Sequence, residues 1–267
     1  MTGTSRSATD SHEGGGLRER LHDKDALIGT FVKTTSHQIV EVLGGAALDF
    51  VVLDAEHAPF GRESLDVCCL AARYAGVPAL VRTATADPDG ILQALDLGAT
   101  GVVVPHVDTP AIALAAVKAS RYWEHQGARG FSNSPRAGKY GQLSLASHIS
   151  ASDKSTAVIV QIESAAAVDA VHDIASVEGI DGLFIGRADL AVSYKVGDIL
   201  DAKVQAAVER VCQAGRDKDV AVGIFLPDAA EVDRFREMGV NFFVIGSDQS
   251  LLRQAAMKMA YHAKHIA

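Results

Sequence analysis

The side chains best suited to chemistry stand directly after short apolar runs. Asp54-Ala-Glu-His57 follows Phe50 to Leu53, Arg82 ends the run from Ala79, Gln161-Ile-Glu163 ends the run from Ala157, and Gly186-Arg-Ala-Asp189 follows Gly182 to Ile185. Glu163 and Asp189 offer hard oxygen donors that could hold one divalent cation, Mg²⁺, Mn²⁺ or Co²⁺, and leave further positions to water and substrate. The plain alternative is that Glu163 pairs with Arg82 or Arg187 and that Asp189 caps the next turn. His57 is the candidate general base, with His106 a weaker rival. Arg82 closes an apolar run, where a guanidinium needs an anion: a substrate carboxylate, an enolate oxygen, or a salt bridge to Glu56 or Glu163.

Positioning these groups requires a scaffold with many strand ends. Eight runs rich in Val, Ile and Phe read as strands: Leu27 to Phe31, Phe50 to Leu53, Ala79 to Arg82, Gly101 to Val104, Ala157 to Gln161, Gly182 to Ile185, Val220 to Phe225 and Phe242 to Ile245. Each precedes a segment of helical period: Ser36 to Ala46, Glu63 to Tyr74, Pro88 to Leu97, Pro110 to Ser120, Ala165 to Ser176, Ala202 to Asp217, Ala229 to Met238 and Gln249 to His262. Eight βα units predict a single-domain (β/α)8 (TIM) barrel over residues 17–267, with the active site at the carboxyl ends of the strands. A doubly wound open sheet would carry a glycine-rich turn after its first strand, and Gly29-Thr-Phe-Val-Lys-Thr-Thr is not one. The long connection from 121 to 156, which contains Arg129-Gly-Phe-Ser-Asn-Ser-Pro-Arg-Ala-Gly-Lys-Tyr-Gly141, is a candidate active-site segment.

Composition excludes several function classes. The 267 residues are 48% hydrophobic and 22% charged, enough to bury a substantial core. A net charge of -8 without a basic run gives no footprint for nucleic acid, and no apolar run approaches the roughly 20 residues of a membrane span. Cys68, Cys69 and Cys212 have no zinc or redox spacing and fit reduced thiols in a cytoplasmic protein. Residues 1–16, rich in Ser, Thr and Gly, read as a disordered tail without the apolar core of a signal peptide. No expected strand contains Lys; Lys33 comes nearest, which disfavours an imine mechanism.

Phe50-Val-Val-Leu-Asp-Ala-Glu-His-Ala-Pro59, Val160-Gln-Ile-Glu163 and Val177-Glu-Gly-Ile-Asp-Gly-Leu-Phe-Ile-Gly-Arg-Ala-Asp-Leu190 resemble the HpcH/HpaI aldolase family from about Leu27 to the C-terminus. The resemblance implies a metal-dependent class II pyruvate aldolase of the 4-hydroxy-2-oxoheptanedioate or 2-keto-3-deoxy sugar-acid type, which cleaves or forms 4-hydroxy-2-oxo acids from pyruvate and an aldehyde. It implies Glu163 and Asp189 as metal ligands, His57 as proton acceptor with Asp54 in the same catalytic motif, and Arg82 as stabiliser of the enolate. Gln161, Gly186 and Ala188 fall on the substrate side. Asp96 matches an acid that raises the basicity of the histidine, and a neighbouring subunit would have to supply it. The resemblance also implies a homo-oligomer, trimer or hexamer, in which the C-terminal helix packs between protomers.

The chain departs from the family pattern at Arg187, where Pro is common, and at Ala55, Thr83 and Tyr122-Trp-Glu. Arg187, Arg136 and Lys139 could place positive charge near the pocket and favour a substrate with a second anionic group. Two other readings compete: a CoA-thioester lyase of the citrate lyase beta type, and a barrel that binds metal and oxo acid without turnover.

Overall fold

Segments such as Val51-Val-Leu53 and Val102-Val-Val104 are bulky, mostly β-branched and buried on both faces, which suits parallel strands covered by helices. The computed structural model describes residues 16–265. Its strands are β1 (Leu27–Val32), β2 (Phe50–Asp54), β3 (Ala79–Arg82), β4 (Gly101–Val104), β5 (Ala157–Ile162), β6 (Gly182–Ile185), β7 (Ala221–Leu226) and β8 (Phe242–Ser247). They pair in parallel in sequence order, and β8 closes on β1. This is the (β/α)8 barrel that the sequence predicts.

The helices are α1 (Leu17–His22), α2 (His37–Gly44), α3 (Arg62–Ala75), α4 (Pro88–Asp96), α5 (Pro110–Ser120), α6 (Leu145–Ser155), α7 (Ala165–Asp169), α8 (Val171–Ala175), α9 (Arg187–Ser193), α10 (Ala202–Lys218), α11 (Val232–Glu237) and α12 (Asp248–Lys264). The helix expected over Ala165 to Ser176 is two short helices meeting at Ala170, and the one expected from Ala229 begins as a single 3₁₀ turn. Helices α1, α6 and α9 lie where the sequence signalled none. Of the tail expected over 1–16, only Gly16 is among the described residues.

Two cores follow from strand alternation. Val52, Leu80, Val103, Ile159, Phe184 and Val244 fill the barrel interior, while Val51, Leu53, Val81, Val102 and Val104 face the helices. Leu17 and Leu21 of α1 join the interior group and cover the amino-terminal end of the strands. Gly223 makes room for the Phe242 ring opposite it, since a Cβ there would lie 1.9 Å from Phe242 Cε2.

The long connection is ordered by buried Asp153 of α6, whose carboxylate accepts from the backbone N–H groups of Tyr122 at 2.8 Å and Trp123 at 2.9 Å. At the other end of the chain, α12 turns away from the barrel. Every residue from Leu251 to His265 is exposed, including Leu252, Met257, Met259 and Tyr261.

Candidate active site

Strand β2 ends in Asp54, whose carboxylate is fully buried and therefore needs partners. Arg82, ending the neighbouring strand β3, supplies them as a fork: Nε donates to Oδ1 at 3.0 Å and Nη2 to Oδ2 at 2.8 Å. The His57 backbone N–H donates to Oδ1 at 3.1 Å, and Lys33 Nζ stands 3.3 Å from Oδ2. Burial pushes the Asp54 carboxyl upward, but the Arg82 hydrogen bonds and charge, with His57 N–H and Lys33, hold it below the ordinary aspartate value. The Arg82 guanidinium also lies over the Phe31 ring at 4.5 Å and 3.3 Å from Glu56 Oε2. Its anion is thus Asp54 first and Glu56 second; Glu163 is not its partner.

Beside this pair lies a cluster of acids. Glu56, His106 and Glu163 offer ligand atoms within 4.8 Å of one another, and the His106 ring bridges the two glutamates at 3.2 and 3.0 Å. The His106 backbone N–H donates to Glu163 Oε1 at 2.7 Å, with His106 in the left-handed region at φ 56, and Gln161 Nε2 donates to Glu163 Oε2. Asp189, in the first turn of α9, lies outside that group but near enough for its charge to act on Glu163. A Cβ on Gly186 would lie 3.0 Å from Glu163 Cβ, 3.2 Å from Asp189 Oδ2 and 3.3 Å from Gln161 Nε2, so these three side chains approach one another over a glycine whose replacement would crowd them.

Burial, together with the charges of Glu56 and Asp189, raises the Glu163 carboxyl above the ordinary glutamate value, against the pull of His106. Glu56 Oε2 and Gln161 Oε1 are buried without hydrogen-bond partners. Several carboxylate oxygens with an imidazole between them, and a buried amide oxygen without a donor, form a donor set that fits a divalent cation. The sequence singled out Glu163 and Asp189 for this role; the bridging positions of Glu56 and His106 needed the folded geometry.

His57, Arg82, Gln161, Gly186, Arg187, Ala188 and Asp189 all line one cavity of about 370 Å³ at the carboxyl ends of the strands. Several sequence expectations change here. Arg187 is buried and paired with Glu231 Oε2 at 3.0 Å, its guanidinium 5.0 Å from the Phe235 ring, so its charge is already offset. Arg136 points elsewhere, to Leu97 O at 2.8 Å and the Asp66 carboxylate at 2.9 Å, and no residue of 129–141, Lys139 included, lines the cavity. That segment packs against α3, α4 and α6 rather than over the strand ends. Asp96 closes α4 at the opposite end of the barrel, 3.0 Å from Arg129 Nη2, so one chain does not bring it to His57. His148 is buried against Tyr122 and Phe131, away from the cavity.

Known proteins share this architecture and sequence. The HpcH/HpaI aldolase/citrate lyase family matches residues 27–255. A 5-keto-4-deoxy-D-glucarate aldolase of Klebsiella pneumoniae is 35% identical over 87% of this chain and 90% of that protein. A crystal structure of an HpcH/HpaI aldolase/citrate lyase family protein from Burkholderia cenocepacia has a TM-score of 0.88 at 34% identity, covering 93% of this chain and 98% of that one. The citrate lyase beta subunit of M. tuberculosis, at 14% identity and TM-score 0.56 over 86% of this chain and 95% of that one, shares the fold alone. The chain belongs to the HpcH/HpaI aldolase/citrate lyase family and is a carbon–carbon lyase of the aldolase type.

Proposed function

We propose that this aldolase uses a divalent cation, Mg²⁺, Mn²⁺ or Co²⁺, held by Glu163 and Asp189, to cleave 4-hydroxy-2-oxo acids to pyruvate and an aldehyde, or to join them. The observation that carries the reading is the convergence of Glu163, Asp189 and Gln161 over Gly186, beside the fixed Asp54–Arg82 fork. The cation supplies Lewis acidity to the 2-oxo acid when bound.

This chain's own residues do the rest. Arg82, locked by Asp54, aims its remaining N–H groups into the cavity, where they stabilise the negative charge that grows on the enolate oxygen as the C3–C4 bond breaks. His57, half exposed at the cavity wall with its backbone tied to Asp54, takes the proton of the 4-hydroxyl as that carbon becomes an aldehyde. Gln161 and the Gly186–Ala188 backbone hold the carboxylate and oxo ends of the substrate. Lys33 is engaged with Asp54, which supports the metal route over an imine.

The exposed apolar side chains of α12 support a homo-oligomer in which that helix covers a second copy, a trimer or hexamer as the family resemblance implies. Asp96, remote from its own His57, would act there on a neighbour's site. The buried free thiols Cys68, Cys69 and Cys212 support a cytoplasmic setting, and no helix among the described residues is long and apolar enough to cross a membrane.

The test measures pyruvate release from a panel of 4-hydroxy-2-oxo acids with each metal and with EDTA, for the native chain and Glu163→Gln. Metal-dependent release lost in the variant is the expected result. Release that survives chelation and is trapped by borohydride on Lys33 would overturn it.

A further inference from the structure

One side chain at the acid cluster is a nitrogen donor that the proposed reaction leaves without a role. His106 follows β4, on the turn into α5. Its Nδ1 lies 3.0 Å from Glu163 Oε1 and its Nε2 3.2 Å from Glu56 Oε1, and the three residues offer ligand atoms within 4.8 Å of one another. Neighbouring ligands of a six-coordinate cation bound at about 2.1 Å stand about 3 Å apart, the spacing that Nδ1 keeps from Glu163.

The backbone holds the ring in this place. His106 has φ 56, a left-handed conformation that is uncommon outside glycine and persists where neighbours impose it. Three contacts do so. The His106 N–H donates to Glu163 Oε1 at 2.7 Å, the Asp108 N–H donates to His106 O at 3.1 Å, and Ser164 Oγ donates to Asp108 Oδ1 at 2.5 Å. The turn that carries His106 is thus fastened to Glu163 and to the residue after it. Two buried oxygens around Glu163 lack hydrogen-bond donors: Glu56 Oε2, on a side chain 6% exposed, and Gln161 Oε1, on a residue 1% exposed.

We propose that His106 is a nitrogen ligand of the cation that Glu163 holds, so that this enzyme favours Co²⁺, which accepts imidazole, over Mg²⁺. The inference rests on the metal reading above and adds His106 to Glu163 and Asp189, rather than setting it against His57 as a base. Imidazole suits transition ions, whereas carboxylate and water alone suit Mg²⁺. A protonated His106 pairing the two glutamates would instead compete with every metal, and its removal would strengthen binding.

Titration calorimetry of Co²⁺ and Mg²⁺ against the native chain, His106→Gly, His106→Asn and Glu163→Gln tests it; Gly and Asn both tolerate the left-handed backbone. Electron spin echo spectroscopy of the Mn²⁺-loaded chain separately reads a directly bound nitrogen. The expected result is a Co²⁺ affinity that falls about tenfold or more in both His106 variants, a smaller fall for Mg²⁺, and a nitrogen coupling that is present in the native chain and absent from His106→Gly. Binding that Glu163→Gln abolishes but His106→Gly leaves unchanged or strengthens, equal losses for the two ions, or a nitrogen coupling that survives His106→Gly overturns the role of His106 alone. A native chain that binds none of the three metals, or that binds Co²⁺ as tightly after Glu163→Gln, overturns the metal reading and this inference with it.

Discussion

Replacing Asp54 with Asn keeps the shape of the β2 end and removes the charge that holds Arg82. Breaking a buried ion pair by neutralising one partner costs about 3–5 kcal/mol. Here Glu56 Oε2 remains 3.3 Å from Arg82 Nε, and Asn still accepts one hydrogen bond, so a cost at or just below that range, about 2–3 kcal/mol, applies. For a chain of this size that corresponds to a Tm lower by about 5–10 °C. Because the folded-state pKa of Asp54 lies below its unfolded value, its contribution is complete above the unfolded value and is lost only as pH falls through the folded one. Calorimetry in EDTA at matched scan rates should therefore give a gap between native and variant that is constant from pH 7 to 5 and narrows below about pH 4. Activity should fall about 100-fold, since Arg82 loses its aim. A gap under 2 °C at pH 7, or one that already closes between pH 7 and 5, would refute the account of Asp54 as the charged anchor of Arg82.

Two further outcomes follow from packing. Gly186→Ala places a methyl 3.0 Å from Glu163 Cβ and 3.2 Å from Asp189 Oδ2, and should weaken Mn²⁺ binding about tenfold or more by titration calorimetry; unchanged affinity would mean that the carboxylates do not meet there. Light scattering should find the native chain at a multiple of its own mass, and Leu252→Glu with Met259→Glu should reduce that multiple; a native monomer would rule out α12 as an interface.

The strands were legible because a barrel strand is buried on both faces, so runs such as Ala79 to Arg82 and Gly101 to Val104 match to the residue. Helix α6 was hidden because Leu145-Ala-Ser-His-Ile-Ser-Ala-Ser-Asp-Lys-Ser155 has little apolar periodicity and is held by the Asp153 carboxylate instead. Helix α9 was hidden inside the motif that carries Asp189. That His57, Arg82, Glu163 and Asp189 stand at or just after strand ends could be read from the sequence. What pairs them could not: the Arg187–Glu231 bond spans α9 and the turn before α11, and the Arg136 contact with Leu97 O joins the long connection to the end of α4. Such pairings follow from side-chain reach across the fold and leave no local signal.

The charges of the site also explain why the donor set and the fork belong together. Four carboxylates, Asp54, Glu56, Glu163 and Asp189, face two cations, Lys33 and Arg82, because Arg187 is taken by Glu231. Asp54 is the first partner of both cations and Glu56 the second of Arg82, which leaves Glu163 and Asp189 outside these pairs, and the Glu163 carboxyl is raised first by burial and then by the charges of Glu56 and Asp189. A divalent cation matches the surplus of two negative charges and releases the strain. The same division keeps Arg82 off Glu163: Asp54 holds it with two hydrogen bonds, and Glu56 stands 3.3 Å from its Nε. On the proposed metal reading, removing Asp54 would free Arg82 to pair with Glu163 and Asp189, which would couple the stability of the fork to the affinity for the cation.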